Sequence, residues 1–412
     1  MQGLKQNAFQ FYLLVLVNAF VGLMIGLERS VLSGFGKEVF FLNEYTVILS
    51  FILAFGITKA IANLAVAKLM LHKTRKQVLI LGWIAAIPVP FLLMYASSWW
   101  WVILANIFLG INQGLAWSST VIMKIDLVGN KNRGLAMGIN EFAGYMAVGL
   151  AGLLASNLAA NYGYRYFPFL PGVLFVIVGL FVSLFFIKDT HALVAHESQT
   201  SANKIFKGLW SEVSWKHHNM GTVSINGLVN NMNDAMVWGV LPLLLIQRGF
   251  SMFEIGWIAA IYPATWGFIQ LFTGKLGDHV CKKQLITFGM IVQGLAISSM
   301  IFLYSFEGML IAASLLGVGT AFAYPNFITV IAENLHPAQR AVGMSYFRFW
   351  RDSGYVVGAI LAGLLADNIG ITGTLVFVAL LTIAAGILAQ LRMCCTLKII
   401  WRSNYCVDAA VY

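Results

Sequence analysis

The chain has 412 residues, of which 59% are hydrophobic and only 10% are charged. A soluble domain is roughly 45–50% apolar and about 25% charged, so this composition argues against a soluble enzyme and indicates a polytopic membrane protein. The net charge of +10 lies in short loops between apolar runs, where the positive-inside rule accounts for it without a nucleic-acid partner.

Breaks at charge and turn clusters divide the chain into twelve apolar segments, each long enough to span a bilayer as a helix. These spans are predicted at 10–32, 45–67, 78–96, 99–123, 134–160, 168–187, 219–246, 252–273, 284–304, 308–333, 341–366 and 371–391. The predicted fold class is therefore an all-α polytopic membrane protein, and the even number of spans places both termini on one side.

The distribution of basic residues predicts which side that is. Nineteen lysines and arginines fall in the loops and tails on the side of the termini, against only Lys37, Arg165 and Arg248 on the other. Because basic loops stay in the cytoplasm, both termini are predicted to be cytoplasmic, in the inner membrane of the cell.

A long polar stretch predicts two halves. It separates an N-terminal six-helix bundle over 1–187 from a C-terminal six-helix bundle over 219–391, which leaves a cytoplasmic linker over 188–218 and a cytoplasmic tail over 392–412. Part of the linker, from Ile205 to Val213, fits a short amphipathic helix on the membrane surface.

The two predicted halves resemble each other. Residues 151–157 read AGLLASN and residues 362–368 read AGLLADN, and a Gly-Tyr pair precedes each of them, at 144–145 and at 354–355. The basic residue Arg133 has a rough counterpart in Arg340. A repeat of six helices predicts two pseudo-symmetric bundles with a central site between them.

Cysteine and histidine point to neither a disulfide nor a metal site. Cys281 lies in a predicted cytoplasmic loop, and Cys394, Cys395 and Cys406 lie in the predicted cytoplasmic tail, so a structural disulfide is not expected. The seven histidines fall in loops and form no metal-ligand motif. No cofactor and no metal are predicted.

The loop between the eighth and ninth spans carries a family signature. Residues 274–283 read GKLGDHVCKK and resemble the GxLxDrxGrr loop of the major facilitator superfamily, with cysteine at 281 where glycine is usual. The equivalent first-half loop, AKLMLHKTRK at 67–76, has lost the acid. The resemblance covers essentially the whole chain and implies secondary transport by alternating access, in the drug and metabolite efflux-like branch. It also implies a gating role for the loop residues Asp278, Gly274, Lys282 and Arg133.

Two departures weaken the resemblance to drug–proton antiporters. The fourth span reads Gly110-Ile111-Asn112-Gln113-Gly114 where such members carry RxxQG, so the arginine is missing. The fifth span is rich in glycine but lacks the Gly-Pro pair of the antiporter signature. Asn112 and Gln113 are kept as candidate substrate or coupling residues.

Ionisable side chains inside the spans are the main site candidates, because a charge at membrane depth is costly unless it is paired or hydrated. There are eight: Glu28, Arg29, Lys59, Glu141, Asp234, Arg348, Arg351 and Asp352. Four are acidic and four are basic, so the alternative is that they serve mainly as structural partners of one another.

Two segments concentrate these charges. In the eleventh span Arg348, Arg351 and Asp352 share one helical face, and the alternative to a site is an Arg348–Asp352 pair that leaves Arg351 without a partner. In the seventh span four residues form a polar stripe, which we expect to line a cavity, with interhelical hydrogen bonding as the alternative. They are Asn226, Asn230, Asn233 and Asp234.

The predicted function is secondary transport of a small organic solute. No paired nucleophile and base and no ATPase motif are present, so the chain is not predicted to be an enzyme, and an ion gradient would supply the energy. Asp234 is the leading proton-coupling carboxylate, followed by Glu28 and Glu141. Proton-coupled export by a monomer is favoured; the alternatives are proton-coupled uptake of a polar or zwitterionic nutrient and a non-transporting receptor.

Overall fold

The computed structural model describes residues 3–128, 133–190, 205–277, 279–395 and 400. Long helices account for most of them: α1 (Ala8–Arg29), α2 (Ser50–His72), α3 (Arg75–Met94), α4 (Trp99–Val128), α5 (Arg133–Tyr162), α6 (Leu170–Phe185), α7 (His218–Gln247), α8 (Met252–Leu276), α9 (Lys282–Met300) and α10 (Phe306–Asn334). The last helical stretch, Pro337–Arg392, is divided by Gly370, whose φ of 74° is left-handed, into α11 (337–369) and α12 (371–392).

These bounds confirm the all-α membrane fold. Eight stretches are long and apolar enough to cross a membrane, and the pair α11–α12 counts among them as one. The helix α6 is shorter, and α7 and α9 carry more polar residues, so these three fall outside that set. The number of twelve spans stays a prediction, although each of α1 to α12 overlaps one predicted span.

Close backbone contacts repeat in the two halves, α1–α6 and α7–α12. In the first half α1 packs along α5, and a Cβ on Gly22 would overlap the carbonyl oxygen of Gly144. In the second half α7 packs along α11, and a Cβ on Gly354 would overlap the carbonyl oxygen of Leu228. Because Gly144 and Gly354 are the matched glycines of the sequence repeat, the contacts support the predicted internal repeat.

A second pair of equivalent contacts lies at the face where α1 begins, which we call the inner face following the predicted orientation. In the first half Arg75 at the start of α3 pairs with Asp126 near the end of α4, at 2.6 Å. In the second half Lys282 at the start of α9 pairs with Glu333 near the end of α10, at 3.0 Å. Both halves therefore join their third and fourth helices by the same kind of ion pair.

The halves meet along α2 with α11 and α5 with α8, and polar contacts join them at the opposite, outer face. The carboxylate of Asp367, near the end of α11, accepts hydrogen bonds from the backbone N–H groups of Tyr45 and Thr46 at 2.8 and 3.1 Å. The amide of Gln247, at the end of α7, donates to the Tyr45 hydroxyl at 2.6 Å. The outer ends of the two halves are thus held together.

The linker differs from its prediction. A short helical segment does form, but it begins at Leu209 rather than Ile205: Leu209–Ser211 is α-helical, and a π-helical turn follows over Glu212–Lys216. Trp210 instead packs its ring against Tyr346, Phe349 and Trp350 of α11. This aromatic side chain is therefore half-buried against α11 and does not form part of a membrane-facing apolar surface.

The expectation of no disulfide is wrong. Cys281, just before α9, is bonded to Cys395, just after α12, with their Cα atoms 5.4 Å apart. The prediction considered only the redox compartment of the cysteines. The fold places the end of α12 next to the start of α9, which brings the two cysteines together. A Cα separation of this size is within the range that a disulfide requires.

Candidate functional site

A small central cavity lies between the two halves. It is lined by α1, α2, α4 and α5 of the first half and by α10 and α11 of the second. Its polar lining consists of Arg29, Lys59, Asn63, Gln113, Ser118, Arg348, Arg351 and Asp352, and its aromatic lining of Trp117, Tyr145, Tyr324 and Tyr355. The cavity lining therefore contains all four of the predicted basic residues and one of the four predicted acids.

Asp352 is the centre of a hydrogen-bonded cluster. One carboxylate oxygen accepts from Asn63 of α2 at 2.5 Å, and the other accepts from Asn231 of α7 at 2.9 Å. That second oxygen is also 3.3 Å from Arg351 and 3.8 Å from the Lys59 ammonium. A single buried carboxylate thus serves two cations, one from each half.

The two arginines of α11 contact the first half in different ways. Arg351 donates to the Tyr145 hydroxyl of α5 at 3.1 Å, and its guanidinium lies 4.3 Å from the ring centre of Tyr324. Arg348 donates to the Ser118 hydroxyl of α4 at 2.6 Å. The alternative of an Arg348–Asp352 pair is wrong, because the Asp352 carboxylate faces α2 and α7 whereas Arg348 extends to α4.

Arg29 and Asp234 form an ion pair between the halves. The guanidinium nitrogens of Arg29, the last residue of α1, lie 3.2 and 3.4 Å from the carboxylate oxygens of Asp234 in α7. The Tyr355 hydroxyl donates to the same carboxylate at 2.7 Å, and the ring of Trp238 lies 3.8 Å from the Arg29 guanidinium. Every group of this pair is buried, so its charges are stabilised by these contacts rather than by water.

The remaining two predicted acids lie behind the cavity lining. Glu141 of α5 accepts from the indole of Trp117 at 3.3 Å and from Asn140 at 2.6 Å, and it interacts electrostatically with Lys124 of α4. Glu28 is buried beside Asn106 of α4. Both carboxylates belong to the interior of the first half.

The predicted amide residues are divided between the cavity and the helix interfaces. Gln113 lines the cavity and donates to the Val21 carbonyl of α1 at 2.8 Å, whereas Asn112 donates to the Gly82 carbonyl of α3 at 3.0 Å. Asn230 is fully buried, and its amide atoms have no hydrogen-bond partner among the residues that the structure describes.

The polar stripe of α7 lies outside the cavity lining. Asn233 bonds to Gln293 of α9 at 3.0 Å and accepts from Thr382 of α12 at 2.9 Å. Asn226 donates to the Thr222 carbonyl of its own helix. Asn233 therefore makes the interhelical hydrogen bonds that the alternative interpretation predicts. Asp234 is the one residue of the four that hydrogen-bonds to the first half within the part of the chain that the structure describes.

The predicted gating residues are only partly described. Gly274 lies near the end of α8, and Lys282 forms the ion pair with Glu333. The side chain of Arg133, the first residue of α5, and the whole of Asp278 lie outside the described residues.

Several cavity residues were missed by the sequence analysis as site candidates. Asn63, Ser118 and Tyr324 are neutral side chains within apolar spans, and no spacing or charge distinguishes them from packing residues. Tyr145 and Tyr355 did carry a signal, because they are the tyrosines of the repeated Gly-Tyr pair. Both tyrosines lie where the two halves meet, and the central site of such repeat proteins forms at that interface.

Two helical halves with a small, charged cavity at their interface are an arrangement found in many membrane transporters. The chain belongs to the Major Facilitator Superfamily, whose model matches residues 16–217 and 223–394.

The chain is similar in sequence to an MFS-type transporter and to a resistance protein. An uncharacterized MFS-type transporter of Methanocaldococcus jannaschii is 22% identical over 258 residues, which are 62% of this chain and 66% of that protein. The fosmidomycin resistance protein of Escherichia coli is 23% identical over 172 residues, 42% of each chain. The chain thus matches less than two thirds of the length of these relatives.

A solved structure shares the fold. A POT family transporter crystallised with 5-aminolevulinic acid has a TM-score of 0.73 and 14% identity, and the match covers 92% of this chain and 94% of that one.

Proposed function

We propose that this secondary transporter exports a small organic solute in exchange for protons. It works by alternating access as a monomer in the inner membrane, with both termini in the cytoplasm. The basic residues on the side of the termini support this orientation. The name of the Escherichia coli relative, a resistance protein, supports export.

The observation that carries the coupling is the ion pair of Arg29 with Asp234. It joins α1 to α7, two helices that must separate at the outer face when the cavity opens outward. Separating a buried pair while both groups stay charged leaves uncompensated charge, at about 3–5 kcal/mol. A proton on the Asp234 carboxylate removes the attraction, so that opening toward the outside and proton uptake become one event.

Transport in liposomes tests this proposal. The purified protein is reconstituted, a pH gradient is imposed, and a panel of aromatic solutes with fixed positive, negative or zero charge is followed across the membrane. Exchange against protons accumulates the solute on the acidic side. Accumulation on the alkaline side would instead show proton-coupled uptake, and absence of any protein-dependent flux would favour a receptor.

Asp278 is proposed to act in gating rather than in substrate binding. In the sequence it falls between α8 and α9, and a carboxylate there would favour the positive end of a neighbouring helix and nearby cations. We expect Asp278→Asn to slow transport by about tenfold, the scale of such a charge–dipole contact, while substrate affinity stays nearly unchanged. Initial transport rates and equilibrium binding, measured on the same preparation, check both parts.

The control for Asp278 is Glu307→Gln, which removes an exposed carboxylate from the outer end of α10 and should leave the transport rate unchanged. A large loss of affinity with normal turnover in Asp278→Asn would refute the gating role.

A further inference from the structure

Cations outnumber carboxylates around the central cavity. Its lining contains Arg29, Lys59, Arg348 and Arg351 but only one acid, Asp352. Arg29 is neutralised from behind the lining by Asp234, which leaves three cations and one carboxylate facing the space.

The three cations are not equally paired. Lys59 and Arg351 share one oxygen of Asp352, at 3.8 and 3.3 Å. Arg348 donates to the hydroxyl of Ser118, and among the described residues no carboxylate forms an ion pair with it. The Nε atom of Arg351 is also buried without an acceptor among those residues. The cavity therefore presents an excess of about two positive charges together with unused hydrogen-bond donors.

The nearby acids do not remove this excess. Glu141 accepts two hydrogen bonds, and among the described residues it forms no ion pair with a cavity cation. Glu28 is buried beside Asn106 on the side of α4. Neither is among the residues that line the cavity.

The rest of the lining suits an apolar body. The rings of Trp117, Tyr145, Tyr324 and Tyr355 face the same space, with Ile25 and Val148 beside them. Aromatic faces stack on flat ligands, and a buried cation without a counter-ion is stabilised by an anion that brings its own hydrogen-bond acceptors.

We infer that the cavity binds small organic anions: a carboxylate, sulfonate or phosphate held near Arg348, Arg351 and Lys59, with an aromatic or apolar body against the tyrosines. The inference rests on the proposed function, because it assigns the substrate class of the same cavity. It does not depend on the direction of transport or on the coupling ion.

Binding of a matched set of probes tests the inference. Benzenesulfonate, its neutral isostere benzenesulfonamide and the cation phenyltrimethylammonium are titrated by calorimetry into the purified full-length protein without a membrane gradient. Benzenesulfonate should bind at least about tenfold more tightly than the other two, the scale of one charge-assisted hydrogen bond. Arg348→Gln should weaken its binding by roughly the same factor, and Arg348→Lys should retain most of it.

The control variant is Lys207→Gln, which removes an exposed cation of the linker and changes the net charge equally. Equal or tighter binding of the sulfonamide or the ammonium would overturn the inference, as would no binding of benzenesulfonate at millimolar concentration. The comparison of probes on the wild-type protein needs no variant to fold. Failure of proton exchange in liposomes would leave this binding intact, whereas failure of anion binding would leave exchange of neutral or cationic solutes intact.

Discussion

Replacing Arg351 with alanine is expected to abolish transport without preventing insertion into the membrane. The change removes the hydrogen bond to Tyr145, the contact with the Tyr324 ring and one cation from the cavity. Two or more interactions of a charged group lost together correspond to roughly a hundredfold or more in rate. Flux in liposomes measures the loss, and elution of the purified variant as a single species shows that it is folded.

Asp352→Ala should be at least as damaging. It leaves Lys59 and Arg351 without their shared carboxylate, and an uncompensated buried charge costs about 3–5 kcal/mol. Lys207→Ala, on the exposed linker, serves as the control for both variants. Normal transport by both Arg351→Ala and Asp352→Ala would show that the cavity is not the transport site.

Much of the fold could be predicted from the sequence because a bilayer leaves so few choices. Backbone polar groups in lipid must be satisfied within the segment, so an apolar run of sufficient length becomes a helix. Even α7 and α9, which are too polar for a simple hydropathy criterion, lie on predicted spans, because their neighbours and loops fix where they start and end. The two fold predictions that the structure corrects, on the linker helix and on the disulfide, concern segments outside the predicted spans. Water offers the linker many alternatives, and neither the docking of Trp210 on α11 nor the Cys281–Cys395 bond has a local sequence pattern.

The candidate site was predictable as a set of residues but not as a set of contacts. Membrane depth alone selected Lys59, Arg351 and Asp352, because a charge there requires a partner or water. Their pairing depends on how the two halves pack: Arg29 and Asp234 are 205 residues apart in the chain. Local spacing allowed an Arg348–Asp352 pair within one helical turn as an alternative, but Asp352 instead bonds to Asn63 of α2 and Arg348 to Ser118 of α4.

Asp234 and Asp352 are the two carboxylates of the second half that contact cations of the first half, and their contacts differ. Asp352 contacts two amides, one from each half, and two cations, so its protonation would leave an amide contact between the halves in place. Asp234 contacts the first half through its ion pair with Arg29 and accepts a hydrogen bond from Tyr355 of its own half. On this comparison Asp234 is the carboxylate whose protonation changes the contact between the halves most.

Asp234→Asn is therefore expected to abolish accumulation of solute driven by a pH gradient while solute binding and gradient-free exchange persist. Asparagine keeps the size of the side chain and an acceptor for Tyr355, but it neither carries the coupling proton nor attracts Arg29. A variant that binds solute yet is uncoupled from protons would exchange labelled for unlabelled solute at equal pH and would build no gradient. Both quantities are measured in the same liposomes, with and without an imposed pH difference.

Asp367→Asn is the matched control, since it makes the same substitution in another carboxylate that joins the two halves. Asp367 accepts from backbone N–H groups at the outer face and has no cation partner among the described residues, so its loss should leave the proton-driven accumulation ratio unchanged. If instead Asp234→Asn accumulates solute normally, the Arg29–Asp234 pair is a fixed structural contact. The coupling proton would then have to be carried by Glu28 or Glu141, the two acids buried inside the first half.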